Sequence, residues 1–479
     1  MANRTRKTRF MDGFRRTKIV ATIGPASADK LTLRHLVDAG VDVMRLNFSH
    51  GNHEEKAALI TSIREVEVEA GRPIAILQDI QGPKIRVGAI RDAPLRLEPG
   101  DILDIHGDGR EGEPGHISTN YPNLVYETDP GESIFLDDGM IELRVTEEYD
   151  STVRCQVIVG GDLHPGKGVN LPGARLSVDA LTEKDCEDLR FGMEHGVDYV
   201  ALSFVRHAYD AATAREVMVR VGPAVPLLAK VEKREAVDRM NSILRAFDGA
   251  MVARGDLGVE LRPEMVPAVQ KQLIRRSLEL HRPVITATQM LESMTENRRP
   301  TRAEASDVAN AVLDGTHAVM LSGETAIGRH PVEVVKAMHR IVVEAERMIV
   351  PGLHLDYDAP SANSAVCQAA VQLAEQVDAD AIVAFGRSGK TAQTLSNLQP
   401  LRPVIALCES VKLARRLCLW RSVMPVLVGP ARREETAAAR IEREMENRQI
   451  LPAGSLIVSV GSAPGSRTSQ SNYIRLIRL

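Results

Sequence analysis

Eight short apolar runs, each followed by a helix-like stretch, constrain the fold of this chain more than any other feature. Each run is rich in β-branched residues and has the length of one buried strand. Successive runs start roughly one βα unit apart, with a single exception, and this alternation predicts a (β/α)8 TIM barrel. The runs start near Lys18, Val41, Ile74, Tyr199, Pro226, Gly249, Val284 and Ala318.

The exception is the long interval between Ile74 and Tyr199. Within it, residues 88–168 contain valine- and isoleucine-rich runs separated by Gly, Pro and Asp-Gly turns, which predict an inserted small β-barrel domain. A helix resumes after Thr182, which is spaced from Asp185 as in a capping box. Because barrel active sites form in the βα loops, we expect a mobile lid; a passive insertion is the alternative.

The remaining residues complete a three-part organisation. Residues 351–479 contain a helix-like segment and five apolar runs, typical of a small open α/β sheet domain. The barrel is then predicted from 18–87 and 169–350, and residues 1–17 form a basic N-terminal arm.

Composition excludes several function classes. A net charge of −4 argues against nucleic-acid binding. No apolar stretch approaches the ~20 residues that span a membrane, and no apolar core of a secretory signal follows the basic arm. The five cysteines contain no CxxC pattern, which is typical of reduced thiols, so we expect a cytoplasmic protein.

Polar side chains collect directly after the strand-like runs, where barrel active sites form. Glu232 and Asp256 follow neighbouring runs, and Lys230 lies just before Glu232. Two carboxylates and an ammonium at this edge fit Mg²⁺ together with a phosphoryl group. Any one polar residue could be structural, but packing alone explains the whole set poorly. The other members are Arg45, Asn47, Ser49, His50, Asp79, Lys84, Arg86, Gly255, Thr288, Ser322 and Glu324.

Several of these residues lie in long segments whose order along the chain is informative. The segments include RRTKIVATIGPAS (15–27), MRLNFSHG (44–51), DIQGPKIR (79–86), AKVEKREAV (229–237), MVARGDLGVE (251–260) and VMLSGETA (319–326). In this order they resemble the pyruvate kinase family over most of the chain. The resemblance implies transfer of a phosphoryl group from phosphoenolpyruvate to ADP, giving pyruvate and ATP, the last step of glycolysis.

The resemblance also implies roles for individual residues. Glu232 and Asp256 would bind Mg²⁺, and Lys230 and Arg45 would contact the transferring phosphoryl group. The backbone N–H groups of Gly255 and Asp256 would bind the substrate carboxylate.

Two further groups of roles follow from the same resemblance. The enolate would be protonated by Thr288, Ser322 and Glu324, and which of them donates the proton is left open. The nucleotide or its second metal would be bound by Asn47, His50, Arg86 and Lys167, and the lid hinge would deliver Lys167.

One departure concerns K⁺. Many family members bind K⁺ through residues matching Asn47, Ser49, Asp79 and the carbonyl of Ile80, and carry Glu where this chain has Lys84. Lysine at this position is typical of the K⁺-independent branch. We therefore hypothesise that the Lys84 ammonium replaces K⁺, so that K⁺ is not required. A solvent-facing lysine beside an empty or used K⁺ site is the alternative.

The C-terminal domain contains AFGRSGKTA (384–392), between a strand and a helix. Ala384 stands where a Walker A loop needs its first Gly, so we reject a second nucleotide-hydrolysis site. The turn still offers donors for a phosphate, and the late loop 461–472 could close over it. The resemblance implies an allosteric sugar phosphate or nucleotide here, and a homotetramer; absence of regulation stays open. The donors are Arg387, Ser388, Gly389, Lys390 and Thr391.

Two other functions remain as alternatives. A metal-dependent lyase or aldolase acting on phosphoenolpyruvate or pyruvate would keep Glu232 and Asp256, but would not need the lid and Lys230 together. A non-catalytic sugar-phosphate sensor predicts loss of Lys230, Glu232, Asp256 or Thr288, and all four are present. Pyruvate formation that depends on ADP separates the kinase from both.

Overall fold

A computed structural model of the protein describes residues 14–174, 177–349, 361–430, 437–448, 450–461 and 472–479. In chain order the strands are β1 (Lys18–Thr22), β2 (Val43–Asn47), β3 (Ala75–Ile80), β4 (Leu95–Leu97), β5 (Ile102–His106), β6 (His116–Ser118), β7 (Ser133–Leu136), β8 (Ile141–Tyr149), β9 (Thr152–Val159), β10 (Gly161–Leu163), β11 (Val169–Asn170), β12 (Tyr199–Leu202), β13 (Leu227–Val231), β14 (Gly249–Ala253), β15 (Val284–Ala287), β16 (Ala318–Leu321), β17 (Ala381–Phe385), β18 (Val404–Cys408), β19 (Val423–Leu427), β20 (Leu456–Gly461) and β21 (Tyr473–Arg478).

The helices surround and connect these strands. In chain order they are α1 (Lys30–Asp38), α2 (His53–Ala70), α3 (Glu183–Glu194), α4 (Asp210–Val219), α5 (Arg234–Asp238), α6 (Met240–Ala246), α7 (Arg254–Glu260), α8 (Val266–Glu279), α9 (Arg302–Leu313), α10 (Gly323–Ala326), α11 (Pro331–Glu346), α12 (Ala362–Gln376), α13 (Lys390–Asn397), α14 (Val411–Leu417) and α15 (Ala437–Arg448), with 3₁₀ turns at Pro122–Tyr126, Pro263–Met265 and Glu292–Thr295.

The eight predicted barrel strands close into a parallel barrel in the order β1-β16-β15-β14-β13-β12-β3-β2. Nearly every residue of these strands is buried, because helices cover the outside and side chains fill the inside. Local signals set the helix starts: Thr182 and Asp185 form the predicted capping box of α3. The predicted barrel fold is confirmed.

The insertion forms a lid with its own apolar core. Its main sheet has the order β11-β7-β8-β9-β5-β6, and β10 pairs with β4. Strand β11 pairs antiparallel with β7, so the lid sheet extends to Asn170, just past the predicted boundary at 168. The Asn170 side-chain amide donates to Glu260 Oε1 of α7 at 3.2 Å, which ties the lid hinge to the barrel.

The C-terminal domain is a five-stranded sheet in the order β19-β18-β17-β20-β21, with β21 antiparallel to β20. It lies at the N-terminal end of the barrel, where Cys418 and Leu419 join the apolar cluster inside the barrel. Residues 1–13 of the predicted basic arm and 462–471 of the predicted late loop lie outside the described residues. Within the described residues, no helix is long and apolar enough to cross a membrane.

Candidate active site

A buried ammonium lies at the centre of the polar end of the barrel. Strand β13 ends so that Lys230 Nζ lies 2.8 Å from Glu232 Oε1 and 3.3 Å from Asp79 Oδ1. It also donates to Ser203 Oγ at 2.8 Å. Arg45 Nε, from β2, donates to Asp79 Oδ2 at 2.6 Å. Two cations and two carboxylates from three strands therefore meet at one point.

The charges in this network stabilise one another. Burial by itself would lower the pKa of Lys230, but Asp79 and Glu232 outweigh it and raise the pKa, so the ammonium stays charged. Burial would raise the pKa of Asp79, but Lys230 and Arg45 lower it. For Glu232, burial raises the pKa, Lys230 opposes the shift and Asp256 adds to it. Glu232 therefore lies where a further cation would be stabilising.

Strand β12 contributes two residues that the sequence analysis did not single out. Ser203 Oγ accepts from Lys230 and donates to the Ile80 carbonyl at 2.7 Å. The Phe204 N–H donates to Glu232 Oε2 at 2.8 Å, from a backbone with φ 55°. Both follow a barrel strand directly, so the rule that identified the other site residues would have found them.

Asp256 and Lys84 connect the barrel to the lid. Lys84 Nζ lies 3.9 Å from Asp256 Oδ1 and 3.7 Å from Asp138 Oδ1, in the β7–β8 turn of the lid. Its side chain also packs against the backbone of Gly168, where an added Cβ would come within 2.8 Å of Lys84 Cε. Lys84 thus lies between the predicted metal ligand and the lid.

The residues predicted to bind K⁺ have partners other than Lys84. The Asn47 side-chain oxygen accepts from the Ser49 N–H at 3.0 Å. Asp79 is occupied by Arg45 and Lys230. Within the described chain, the ion pairs of Lys84 are with Asp138 and Asp256, and not with Asp79.

The turns after β15 and β16 carry the predicted proton-relay residues. Thr288 Oγ1 accepts from the Gly255 N–H at 2.9 Å and donates to the Ala287 carbonyl at 2.8 Å. Glu324 is fully buried and accepts from the backbone N–H groups of Leu291 at 3.1 Å and Ser322 at 2.6 Å. Among the described residues, Ser322 Oγ is buried without a hydrogen-bond partner.

The predicted nucleotide residues face the lid hinge. Burial lowers the pKa of His50, and nearby cations, with Arg86 foremost, lower it further. Such a cationic surrounding suits an anion. Arg86 Nη1 donates to the Gly166 carbonyl at 2.9 Å, and Lys167 Nζ lies 2.8 Å from Asp137 Oδ1. The Arg86 and Lys167 side chains therefore contact oxygen atoms of the lid, and a bound phosphate would take the place of those oxygens.

The predicted effector turn lies in the C-terminal domain, between β17 and α13. Helix α13 begins at Lys390, directly after Gly389 with φ 73°, and Arg387, Ser388 and Lys390 are exposed. Thr391 is buried. These donors are therefore arranged around one exposed strand-to-helix turn.

The candidate protein ligands for a metal at this site are Glu232 and Asp256. In the part of the chain that the structure describes, no three His, Cys, Asp or Glu side chains are grouped as a metal site. Glu232 and Asp256 can still supply two hard oxygen ligands. That set fits Mg²⁺, which commonly binds one or two carboxylates and completes its octahedron with substrate oxygens and water.

The chain is similar to one family of known proteins over most of its length. The family descriptions "Pyruvate kinase, barrel domain" and "Pyruvate kinase, alpha/beta domain" match residues 14–335 and 364–477. Pyruvate kinase 2 of Synechocystis is 46% identical over 457 residues, covering 94% of this chain and 77% of the relative. Pyruvate kinase of Corynebacterium glutamicum is 43% identical over 464 residues, covering 96% and 97%. Pyruvate kinase of Mycobacterium tuberculosis is 40% identical over 465 residues, covering 97% and 98%.

Proposed function

The chain belongs to the pyruvate kinase family and is a phosphotransferase, and from that premise we propose a Mg²⁺-dependent reaction carried out by the residues at the polar end of its barrel. Phosphoenolpyruvate and ADP are the substrates that the family implies, and pyruvate and ATP the products. The observation that supports this assignment most is the buried group of Lys230, Arg45, Asp79 and Glu232.

Glu232 and Asp256 would hold the divalent cation. Burial and the nearby Asp256 carboxylate both raise the pKa of Glu232, and a bound cation would offset this repulsion. When bound, Mg²⁺ supplies a positive centre that polarises phosphate and enolate oxygens. The Phe204 N–H holds one Glu232 oxygen in place, which fixes the orientation of this ligand.

Lys230 and Arg45 would bind the transferring phosphoryl group. Phosphoryl transfer depends mainly on positioning and on fixed positive charge around the equatorial oxygens. Asp79 contacts both cations and so fixes their spacing before substrate binds. Ser203 adds a hydrogen bond to Lys230 and so restricts the ammonium further.

The enolate end of the substrate would lie between α7 and the turns after β15 and β16. The N–H groups of Gly255 and Asp256 would bind the carboxylate, and Gly255 would then exchange its bond to Thr288 for one to the substrate. Thr288, Ser322 and Glu324 would relay the proton to the enolate carbon. The unpartnered hydroxyl of Ser322 supports this role, because a relay needs a donor that is free to turn toward its acceptor.

ADP would lie between the β2–α2 loop and the lid hinge. Asn47, His50, Arg86 and Lys167 would contact its phosphates, and lid closure would deliver Lys167. In this structure Asp137 holds the Lys167 ammonium at 2.8 Å. Binding of a phosphate would replace one anionic partner of Lys167 by another.

We propose that the enzyme works without K⁺. The support is the Lys84 ammonium, a fixed positive charge 3.9 Å from Asp256 at the edge of the phosphoryl site. This position differs from the hypothesis that Lys84 occupies the K⁺ ligands themselves. The positive charge of Lys84 would therefore act beside Asp256, a proposed metal ligand, and would not contact Asp79.

Regulation, assembly and location are further parts of the proposal. A sugar phosphate or nucleotide would bind the turn around Arg387, Ser388 and Lys390, because exposed donors there face one strand-to-helix turn. A homotetramer is the assembly expected for the family. The five cysteines are free thiols, which is in keeping with a cytoplasmic enzyme.

The test is pyruvate formation from phosphoenolpyruvate with Mg²⁺, with and without ADP, in K⁺-free buffer and then with K⁺. Full activity without K⁺ that needs ADP supports both the reaction and the role of Lys84. Activity only with K⁺ keeps the kinase and removes the proposed role of Lys84. Turnover of phosphoenolpyruvate without ADP would favour the lyase. No turnover, even with sugar phosphates or AMP, would favour the sensor.

A further inference from the structure

The turn after β15 has a strained backbone. Thr288 has φ 61° and Gln289 has φ 53°, and both lie in the left-handed region that favours glycine. A β-branched residue rarely adopts this conformation, so the turn carries backbone strain. The turn therefore depends on contacts that hold it in place.

Arg254, the first residue of α7, supplies those contacts. Its guanidinium donates to three successive carbonyls of the turn: Nε to Ala287 at 3.2 Å, and Nη2 to Thr288 at 2.8 Å and to Gln289 at 3.4 Å. The Arg254 side chain is only 10% exposed. Hydrogen bonds from a charged donor are stronger than those between neutral groups, so they can offset the strain of the turn.

Asp307 holds the guanidinium from the other side. It lies on α9 and approaches Arg254 Nη1 at 2.7 Å. The Gln270 side chain accepts from the same nitrogen at 3.4 Å. Asp307 is partly exposed and is not among the residues placed in contact with substrate, so its removal changes only the support of Arg254.

The strained turn has a chemical consequence, because it sets the position of the Thr288 hydroxyl. In this conformation Thr288 Oγ1 meets the Gly255 N–H at 2.9 Å. We propose that Arg254 is a positioning residue that offsets the strain of the Thr288–Gln289 turn and thereby holds Thr288 at the enolate. This inference rests on the proposed function, in which Thr288 contacts the reacting end of the substrate.

The first test is Arg254→Met, with two readouts. One is ADP-dependent pyruvate formation. The other is exchange of the pyruvate methyl protons with deuterated solvent in the presence of Mg²⁺ and ATP, which reports the reverse proton transfer. We expect kcat for both to fall about 10- to 100-fold, as for other misplaced groups, while KM for ADP stays within about twofold. Asp307→Asn should cause a smaller loss in the same direction.

Arg215→Met is the matched control. Arg215 also bridges an aspartate and a carbonyl, Asp248 at 2.8 Å and Ala246 at 2.7 Å, but it does so at the opposite end of the barrel. This variant should leave kcat unchanged for both reactions. If it and the wild type form no ATP, the proposed function fails. If the wild type and Arg215→Met are active and Arg254→Met has the same kcat as they do, only the positioning inference fails.

A rescue experiment separates positioning from general structural support. Gln289 is exposed, and glycine adopts its φ without strain. Adding Gln289→Gly to Arg254→Met should therefore recover about 3- to 10-fold of the lost kcat. In a Thr288→Ala background, Arg254→Met should cost little more. Absence of rescue together with additive losses would overturn the proposal. If Arg254→Met does not fold, Asp307→Asn takes its place in the same comparisons.

Discussion

The two ends of the same barrel are built on opposite principles. At the C-terminal end, strands finish in charged side chains, and Lys230, Asp79 and Glu232 lie buried in contact with one another. At the N-terminal end, Leu419 of the C-terminal domain packs into an apolar cluster with side chains of the barrel strands. His317, fully buried there, packs edge-on against Trp420 with ring centroids 5.4 Å apart.

This difference shows how one fold separates chemistry from stability. Buried charges at the C-terminal end are held by partners, yet Glu232 and Asp256 still repel each other. Such a site binds a cation well, but it lowers the stability of the protein when no cation is bound. At the N-terminal end, burial of apolar side chains such as Leu419 contributes directly to stability, and His317 is a titratable group buried among them. Substitutions at the two ends should therefore have different signatures.

The largest expected effect is at the charged end. Asp256→Asn should lower kcat/KM for ATP formation by about 10³-fold or more, since it removes one of the two proposed metal ligands. Its melting temperature should stay equal or rise, because one of two repelling carboxylates is neutralised. Thermal unfolding and a coupled ATP assay measure the two quantities.

Lys230→Met is the counterpart of Asp256→Asn, because it removes a positive charge from the same site. It should lose activity to a similar extent, but it leaves Asp79 and Glu232 buried without the ammonium between them. Its melting temperature should therefore fall. If both variants shift the melting temperature in the same direction, repulsion between the carboxylates does not govern this end.

The second effect is at the apolar end. Leu419 is 1% exposed inside the barrel cluster, so Leu419→Ala should lower the free energy of unfolding by about 3 kcal/mol. Because no group that contacts substrate moves, kcat measured well below the melting temperature should stay near the wild-type value. Loss of kcat in fully folded protein would contradict the separation.

The third effect is a pH dependence at the apolar end. Burial lowers the pKa of His317 from 6.5 to about 3, with a further contribution from Arg421. Below pH 6.5 the unfolded chain takes up a proton that the folded chain does not, so this stability is lost as pH falls. The loss should be about 2 kcal/mol between pH 6.5 and pH 5.

Denaturant unfolding of His317→Asn across this pH range measures the effect. The variant should show a flatter pH dependence than the wild type, although its stability at neutral pH is lower. His35→Asn, at an exposed histidine, is the control and should keep the wild-type slope. Equal slopes for all three proteins would show that His317 is not the group responsible.

The smallest effect concerns Lys84. Lys84→Glu should make activity depend on K⁺, with about a tenfold gain in kcat on adding K⁺, because a second negative charge then lies beside Asp256. Lys84→Met, which removes charge without reversing it, should show a weaker dependence. Unchanged activity of Lys84→Glu in K⁺-free buffer would contradict the proposed role.

The sequence predicted the barrel because its strands carry a strong local signal. Buried parallel strands are rich in apolar residues, so the apolar runs within KIVAT (18–22) and AILQDI (75–80) are recognisable without knowledge of their partners. The placement of site residues at strand ends follows from the same reasoning. Ser203 and Phe204 directly follow β12, so the same rule applies to them.

Other features depend on contacts that no local pattern encodes. The pairing of Lys84 with Asp138 and of Lys167 with Asp137 depends on how the lid hinge turns back onto the barrel. The left-handed backbone of Thr288 contradicts the preference of a β-branched residue, and Arg254 on another element donates to the carbonyls of this turn. Tertiary contacts override local preference here.

The most direct test of the separation is one experiment on Asp256→Asn and Leu419→Ala, in which ATP formation from phosphoenolpyruvate and ADP and the melting temperature are measured for each. We predict that Asp256→Asn loses ATP formation and keeps its melting temperature, whereas Leu419→Ala keeps ATP formation and melts earlier. Parallel loss of both quantities in both variants would contradict the account.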